Sequence, residues 1–114
     1  MADHSESLRF LLDLNGVIYP MDNGYWTKFE VHLVEQNDKI PHGVSYSLTL
    51  HDRNNTRILG FDNAHACHKP SRKKYGGRKV TWDHVHKLNR VVDYEFDSPG
   101  QLLQDFWQEV EEMI

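Results

Sequence analysis

The chain has 114 residues, of which 39% are apolar and 26% charged, with a net charge of −4. This length is typical of one domain, and the apolar content is enough for a folded core, which excludes a largely disordered chain. Its apolar runs are short and interrupted by charge, so we expect no membrane-spanning segment. A single cysteine, Cys67, excludes an internal disulfide, and an acidic N-terminus unlike a signal peptide favours a cytoplasmic protein.

The N-terminal 24 residues give the weakest pattern in the chain. Residues 8–14 are mostly apolar, interrupted by Arg9 and Asp13, and residues 17–19 are apolar again. Asn15-Gly16 between them is a strong turn signal, so we expect a short hairpin. Residues 20–24 then predict a turn that leads into the middle of the chain.

Alternating apolar and polar side chains predict an antiparallel sheet in the middle of the chain. Residues 25–36 alternate in this way and residues 44–51 do so strictly, which is typical of strands with one buried face. A turn at residues 52–55 leads into a further strand at residues 56–62. Two more short strands are expected at residues 81–86 and 91–96.

The C-terminal part of the chain changes to a helical period. Apolar residues recur at helical spacing from Leu102 to Ile114, with Gln, Asp and Glu between them. Ser98 is the predicted N-cap, Pro99 the first helical residue and Gln101 the partner in a capping box. The apolar stripe of this helix needs a covering surface. We therefore predict an α+β fold, an antiparallel β-sheet meander with one C-terminal helix packed on a face of the sheet.

Residues 63–81 interrupt the strand pattern and predict a long basic loop. Residues 65–90 contain eight basic residues and one acid, whereas residues 93–112 contain seven acids and no base. The basic segment therefore either binds an anionic partner or is neutralised by the acidic segment of the same chain. If it binds RNA, the expected contacts come from basic side chains and one stacking aromatic ring: Arg72, Lys73, Lys74, Tyr75, Arg78 and Lys79.

The His84-Val85-His86 sequence predicts two imidazoles on one face of a strand, roughly 6.5–7 Å apart. Because imidazoles titrate near neutral pH, one can act as the base and the other as the acid on a phosphodiester. Alternatively, both are structural or bind one transition metal. Asp62, at a strand end, is the carboxylate that would orient one imidazole, unless it is simply a turn residue.

A divalent metal is a further candidate ligand for these histidines. His65, Cys67 and His68 could complete a metal site if the basic loop folds back towards the strand. Asp83 could join it only if the strand is irregular, because a regular strand turns Asp83 to the opposite face. The spacing is not that of a standard zinc finger. The candidate metal ligands are His65, His68 and Asp83.

Four short motifs follow one another in the chain: Pro41-His42-Gly43 with Tyr46 and Leu48, Gly60-Phe61-Asp62-Asn63, Asp83-His84-Val85-His86, and Tyr94-Glu95-Phe96 with Asp105-Phe106. In this order they resemble the TumE-like toxin family of bacterial toxin–antitoxin pairs. Many members pass almost directly from the second motif to the third, so residues 64–82 are a departure. The resemblance implies a toxin whose antitoxin is encoded nearby.

These observations lead to one main hypothesis and two alternatives. The main hypothesis is a toxin that cleaves RNA as an endoribonuclease, with His84 and His86 as acid and base. Arg78 and Lys79 would stabilise the charge that develops on the phosphate. The first alternative is a non-enzymatic module that binds nucleic acid or protein, and the second is a metal-binding regulator.

Overall fold

Six strands form one antiparallel sheet in the computed structural model, which describes residues 4–38, 40–63, 83–88 and 90–114. The strands lie in the sheet in chain order, so each pairs with the next one along the chain. The elements are α1 His4–Asp13, β1 Ile18–Pro20, β2 Trp26–Leu33, β3 Val44–His51, β4 Arg57–Asp62, β5 His84–Lys87, β6 Arg90–Asp93 and α2 Pro99–Met113. The predicted α+β meander with a C-terminal helix is confirmed.

The sheet has one apolar and one polar face because side chains alternate along each strand. Phe29 and Phe61 lie on the apolar face, where both rings pack edge-on against Phe106 of α2, with centroids 5.6 and 5.7 Å apart. The side chains between the apolar ones lie on the opposite face. We call this the polar face. The residues on it, which neighbour one another across the strands, include Lys28, Glu30, Ser47, Thr49, Asp62, His84 and His86.

Helix α2 begins as the sequence predicts. The Ser98 hydroxyl accepts the backbone N–H of Gln101 at 3.1 Å, and Pro99 occupies the first turn. The Gln101 side chain does not complete the capping box, because it donates to Asp105 at 2.9 Å instead. Within the described residues, neither helix has the length and apolar character needed to cross a membrane.

The predicted N-terminal hairpin is wrong, because its first half is helix α1. Leu8, Leu11 and Leu12 recur at the i, i+3 and i+4 positions, which places all three against the core on one side of a helix. A strand would have placed Leu11 on the face opposite to Leu8 and Leu12. After the turn at Gly16, strand β1 pairs with β2 rather than with residues 8–14.

Candidate functional site

Strand β5 places His84 and His86 side by side on the polar face. Their cross-strand partners in β4 are Asp62 and Gly60, while Val85 between them joins the apolar core. The two imidazole centroids are 6.4 Å apart, and the ring planes are inclined by 42°. The strand period thus brings two titratable rings to one surface.

Asp62 contributes a carboxylate to this pair. Its Oδ2 lies 3.3 Å from Nε2 of His86, and the two side chains are 13% and 14% exposed. Attraction between such shielded groups is screened less by water than in a surface ion pair. The Asp62 carboxylate thus lies against the His86 ring at a position largely shielded from solvent.

The two imidazoles differ in their access to solvent. His84 is 1% exposed, whereas the His86 side chain is 14% exposed. Solvent thus reaches His86 in this structure and barely reaches His84. The spacing of His84 and His86 in the sequence predicts only that they share a face, so it could not predict their different solvent exposure.

Asp83 lies away from the histidine pair, as a regular strand requires, and is 2% exposed. Its Oδ2 accepts the Tyr46 hydroxyl at 2.7 Å and Nε2 of His42 at 2.9 Å. Nδ1 of His42 accepts the backbone N–H of Val44 at 3.2 Å, so the His42 proton lies on Nε2. Both nitrogens of His42 thus take part in hydrogen bonds, and the imidazole helps to hold Asp83 in place.

The surroundings of Asp83 keep Tyr46 in its neutral form. Burial raises the pKa of the Tyr46 hydroxyl, and the Asp83 carboxylate raises that pKa further. Tyr46 is therefore a hydrogen-bond donor to Asp83 throughout the neutral range. The ring of Phe96 stacks on His42 with centroids 3.8 Å apart and closes this network on one side.

Asn63 connects the end of β4 to β3. Its buried side chain accepts the backbone N–H of Tyr46 at 2.9 Å and donates to the Val44 carbonyl at 2.7 Å. The sequence suggests a simple turn residue here, but the amide extends the pairing of the two strands by one step. This fixes the position of the preceding Asp62.

The Toxin TumE family model matches residues 12–114 of the chain. The chain belongs to the TumE toxin family. Membership makes it the toxin component of a toxin–antitoxin system, and an antitoxin is its expected protein partner. No curated protein and no solved structure matches the chain.

The motifs that resemble the TumE family meet at one end of the sheet. His42 and Tyr46 of the first motif contact Asp83 of the third, and Asp62 of the second contacts His86. The fourth motif provides Phe96, which stacks on His42. His42 and Tyr46 were not predicted as site residues, and their membership of the first motif was the signal that could have found them.

Several residues predicted for this TumE family member lie outside the described residues. They are the six expected nucleic-acid contacts and two of the three candidate metal ligands: Arg72, Lys73, Lys74, Tyr75, Arg78, Lys79, His65 and His68. The third candidate ligand, Asp83, is bound by His42 and Tyr46. Within residues 4–38, 40–63, 83–88 and 90–114, no group of three His, Cys, Asp or Glu residues is suited to hold a metal.

Proposed function

We propose that this toxin is an endoribonuclease whose acid–base pair is His84 and His86. The observation that supports the proposal is the arrangement of the two rings, 6.4 Å apart, with Asp62 3.3 Å from His86. Cleavage of RNA by its own 2′-hydroxyl needs a base for that hydroxyl and an acid for the leaving 5′ oxygen. Two imidazoles on one strand provide both groups near neutral pH.

The different environments of the two histidines assign their roles. His86 is the base, because solvent reaches its ring. When His86 takes the proton of the 2′-hydroxyl and becomes positively charged, the nearby Asp62 carboxylate offsets that charge. His84 is the acid and returns a proton to the leaving 5′ oxygen. Since His84 is 1% exposed, the proposal requires β5 to become more accessible when RNA binds.

The basic residues of the loop predicted at positions 63–81 are assigned to the RNA backbone in this proposal. Arg72, Lys73 and Lys74 neutralise phosphates, so RNA affinity should fall steeply as salt concentration rises. Arg78 and Lys79 are the nearest of these cations to His84 in the sequence.

The double substitution of His84 and His86 by Ala tests the chemistry. We expect growth arrest on induction to disappear and RNA cleavage by the purified protein to fall by about 10²-fold or more, the usual contribution of acid–base groups. His32→Ala is the matched control, because it removes an exposed imidazole from β2. Circular dichroism of each variant checks that the fold is retained.

A folded double variant that still arrests growth would contradict the proposed nuclease. Joint neutralisation of Arg72, Lys73 and Lys74 separates the alternatives further. If that variant loses toxicity and partner binding while the double histidine variant keeps both, the toxin is a non-enzymatic binding module.

A further inference from the structure

Gly60 leaves a space on the polar face beside His86. It pairs with Thr49 of β3 and with His86 of β5, so its missing side chain would lie between these two. The side chain of Arg57 lies over this space, at contact distance from the position of a Cβ. Its Nη1 is 3.4 Å and its Cζ 3.7 Å from the position that a Cβ on Gly60 would take. Glycine in a strand interior often marks such a close approach.

A β-bulge brings Arg57 to this face. Residues 57 and 60 are three apart, so a regular strand would place their side chains on opposite faces. The register between β3 and β4 shifts by one residue, because His51 pairs with Arg57 while Leu50 pairs with Leu59. The extra residue, Ile58, returns Arg57 to the face of Gly60 and His86.

The charge of Arg57 is not neutralised within the described part of the chain. The ion pairs there join Lys28 to Glu30 and Lys87 to Glu109, and the carboxylates of Asp83 and Asp62 contact His42 and His86. Asp62, the carboxylate of the same strand, is thus paired with His86. Arg57 is exposed, so its guanidinium donors can reach an anion from solvent.

We infer that Arg57 binds the scissile phosphate at the His84–His86 site, an inference that rests on the proposed function. A guanidinium binds two phosphate oxygens through parallel N–H donors, which fixes the orientation of the phosphate. Adjacent strands are about 4.8 Å apart, so a phosphate held above Gly60 lies one strand from His86. In that position Arg57 also stabilises the charge that builds up on the phosphate oxygens.

Titration of the purified protein with inorganic phosphate tests the inference. The imidazole proton resonances of His86, followed by NMR, report binding beside that ring. We expect Arg57→Ala to weaken phosphate affinity about tenfold or more, since a hydrogen-bonded charge is lost. The phosphate affinity of Arg57→Lys should lie between those of the wild type and Arg57→Ala, because an ammonium keeps the charge but lacks the bidentate geometry. Arg53→Ala is the matched control, since Arg53 is an exposed arginine of the same hairpin.

Gly60→Val provides a second test in which Arg57 remains present. The two methyl groups of valine extend beyond the Cβ and should displace the guanidinium, which already lies in contact with that position. Phosphate affinity should therefore fall as in Arg57→Ala, with the fold checked by circular dichroism. Equal phosphate affinity in the wild type and Arg57→Ala would overturn the inference.

The toxicity of the histidine variants separates this result from the proposed function. If the His84 and His86 double variant stays toxic while phosphate binding depends on Arg57, the nuclease fails and the anion site stands. If the double variant loses toxicity while Arg57→Ala binds phosphate normally, the nuclease stands and the role of Arg57 is rejected.

Discussion

Asp83 connects three segments of the chain through its buried carboxylate. His42 comes from the connection between β2 and β3, Tyr46 from β3, and Asp83 itself directly precedes His84. A buried carboxylate needs such donors, because removing one of them leaves charge without compensation. The network therefore fixes where β5 begins and, with it, the position of His84.

The hydroxyls of buried Tyr46 and half-buried Tyr94 should make the protein sensitive to alkaline pH. Burial raises the pKa of Tyr46 and of Tyr94, and the neighbouring carboxylates Asp83 and Asp105 raise them further. An unfolded tyrosine ionises near pH 10, whereas these two keep their protons in the folded state. Their contribution to stability is thus fully present below about pH 10 and is lost as the pH rises above it.

Urea denaturation between about pH 8 and pH 11 measures this loss. The Tyr46→Phe and Tyr94→Phe double variant should show a flatter decline in unfolding free energy than the wild type. Tyr19→Phe, which removes an exposed phenol, is the control. A double variant with the same decline as the wild type would show that neither hydroxyl is responsible.

Helix α2 is held at its start and along its length by polar contacts. Ser98 caps its first turn, and Lys87 of β5 forms an ion pair with Glu109 at 2.9 Å. Tyr94 adds a hydrogen bond of 2.6 Å to Asp105. These contacts join α2 to β5 and to the segment after β6.

Ser98→Ala should lower the unfolding free energy by about 1 kcal/mol, because an N–H of the first turn loses its acceptor. Ser98→Asp retains an acceptor and should stay close to the wild type. Gln101→Ala should have the smaller effect, since its side chain bonds to Asp105 and not back to the cap. Urea midpoints at constant m-value measure all three variants. A larger loss for Gln101→Ala than for Ser98→Ala would contradict this assignment of the cap.

The elements that the sequence predicts well are those with an unambiguous period. Strand β3 alternates over its whole length and α2 has both a helical stripe and a cap, so their positions agree with the structure. Residues 8–14 are too few for their apolar period to distinguish a helix from a strand. In the structure they are helical, and Leu11 is fully buried in the core.

The candidate site could be predicted only where its residues are close in the chain. The separation of His84 and His86 follows from the strand period. The contact between His42 and Asp83 joins residues 41 positions apart, and no local pattern predicts such a pairing. The position of Arg57 depends on a bulge, which reverses the side chain direction that simple alternation gives.

The molecule as a whole places its aromatic core and its proposed catalytic residues on opposite faces of the sheet. Phe29, Phe61 and Phe106 pack together on the apolar face. His84, His86 and Asp62 lie on the polar face, supported by the same strands. Substitutions on the apolar face should therefore lower stability, whereas those at the proposed site on the polar face should lower toxicity.

Phe106→Leu tests this separation. We expect a loss of roughly 1–2 kcal/mol of unfolding free energy and a lower melting temperature, because leucine is smaller and loses the ring contacts with Phe29 and Phe61. Growth arrest should be unchanged at temperatures where the variant is folded. Phe106→Ala, with a cost of about 3–5 kcal/mol, should unfold a large fraction of the chain. Loss of toxicity in a fully folded Phe106→Leu variant would show that the two faces are coupled.

The order of the strands bears on how the chain folds during translation. Each strand finds its partner in the segment synthesised just before or after it, so the meander can grow as the chain leaves the ribosome. Helix α2 follows all six strands, and until it emerges the aromatic side of the nascent sheet has no Phe106 against it. The core is therefore completed only after α2 has been synthesised, and a chain stopped before that helix lacks the Phe106 contacts of Phe29 and Phe61.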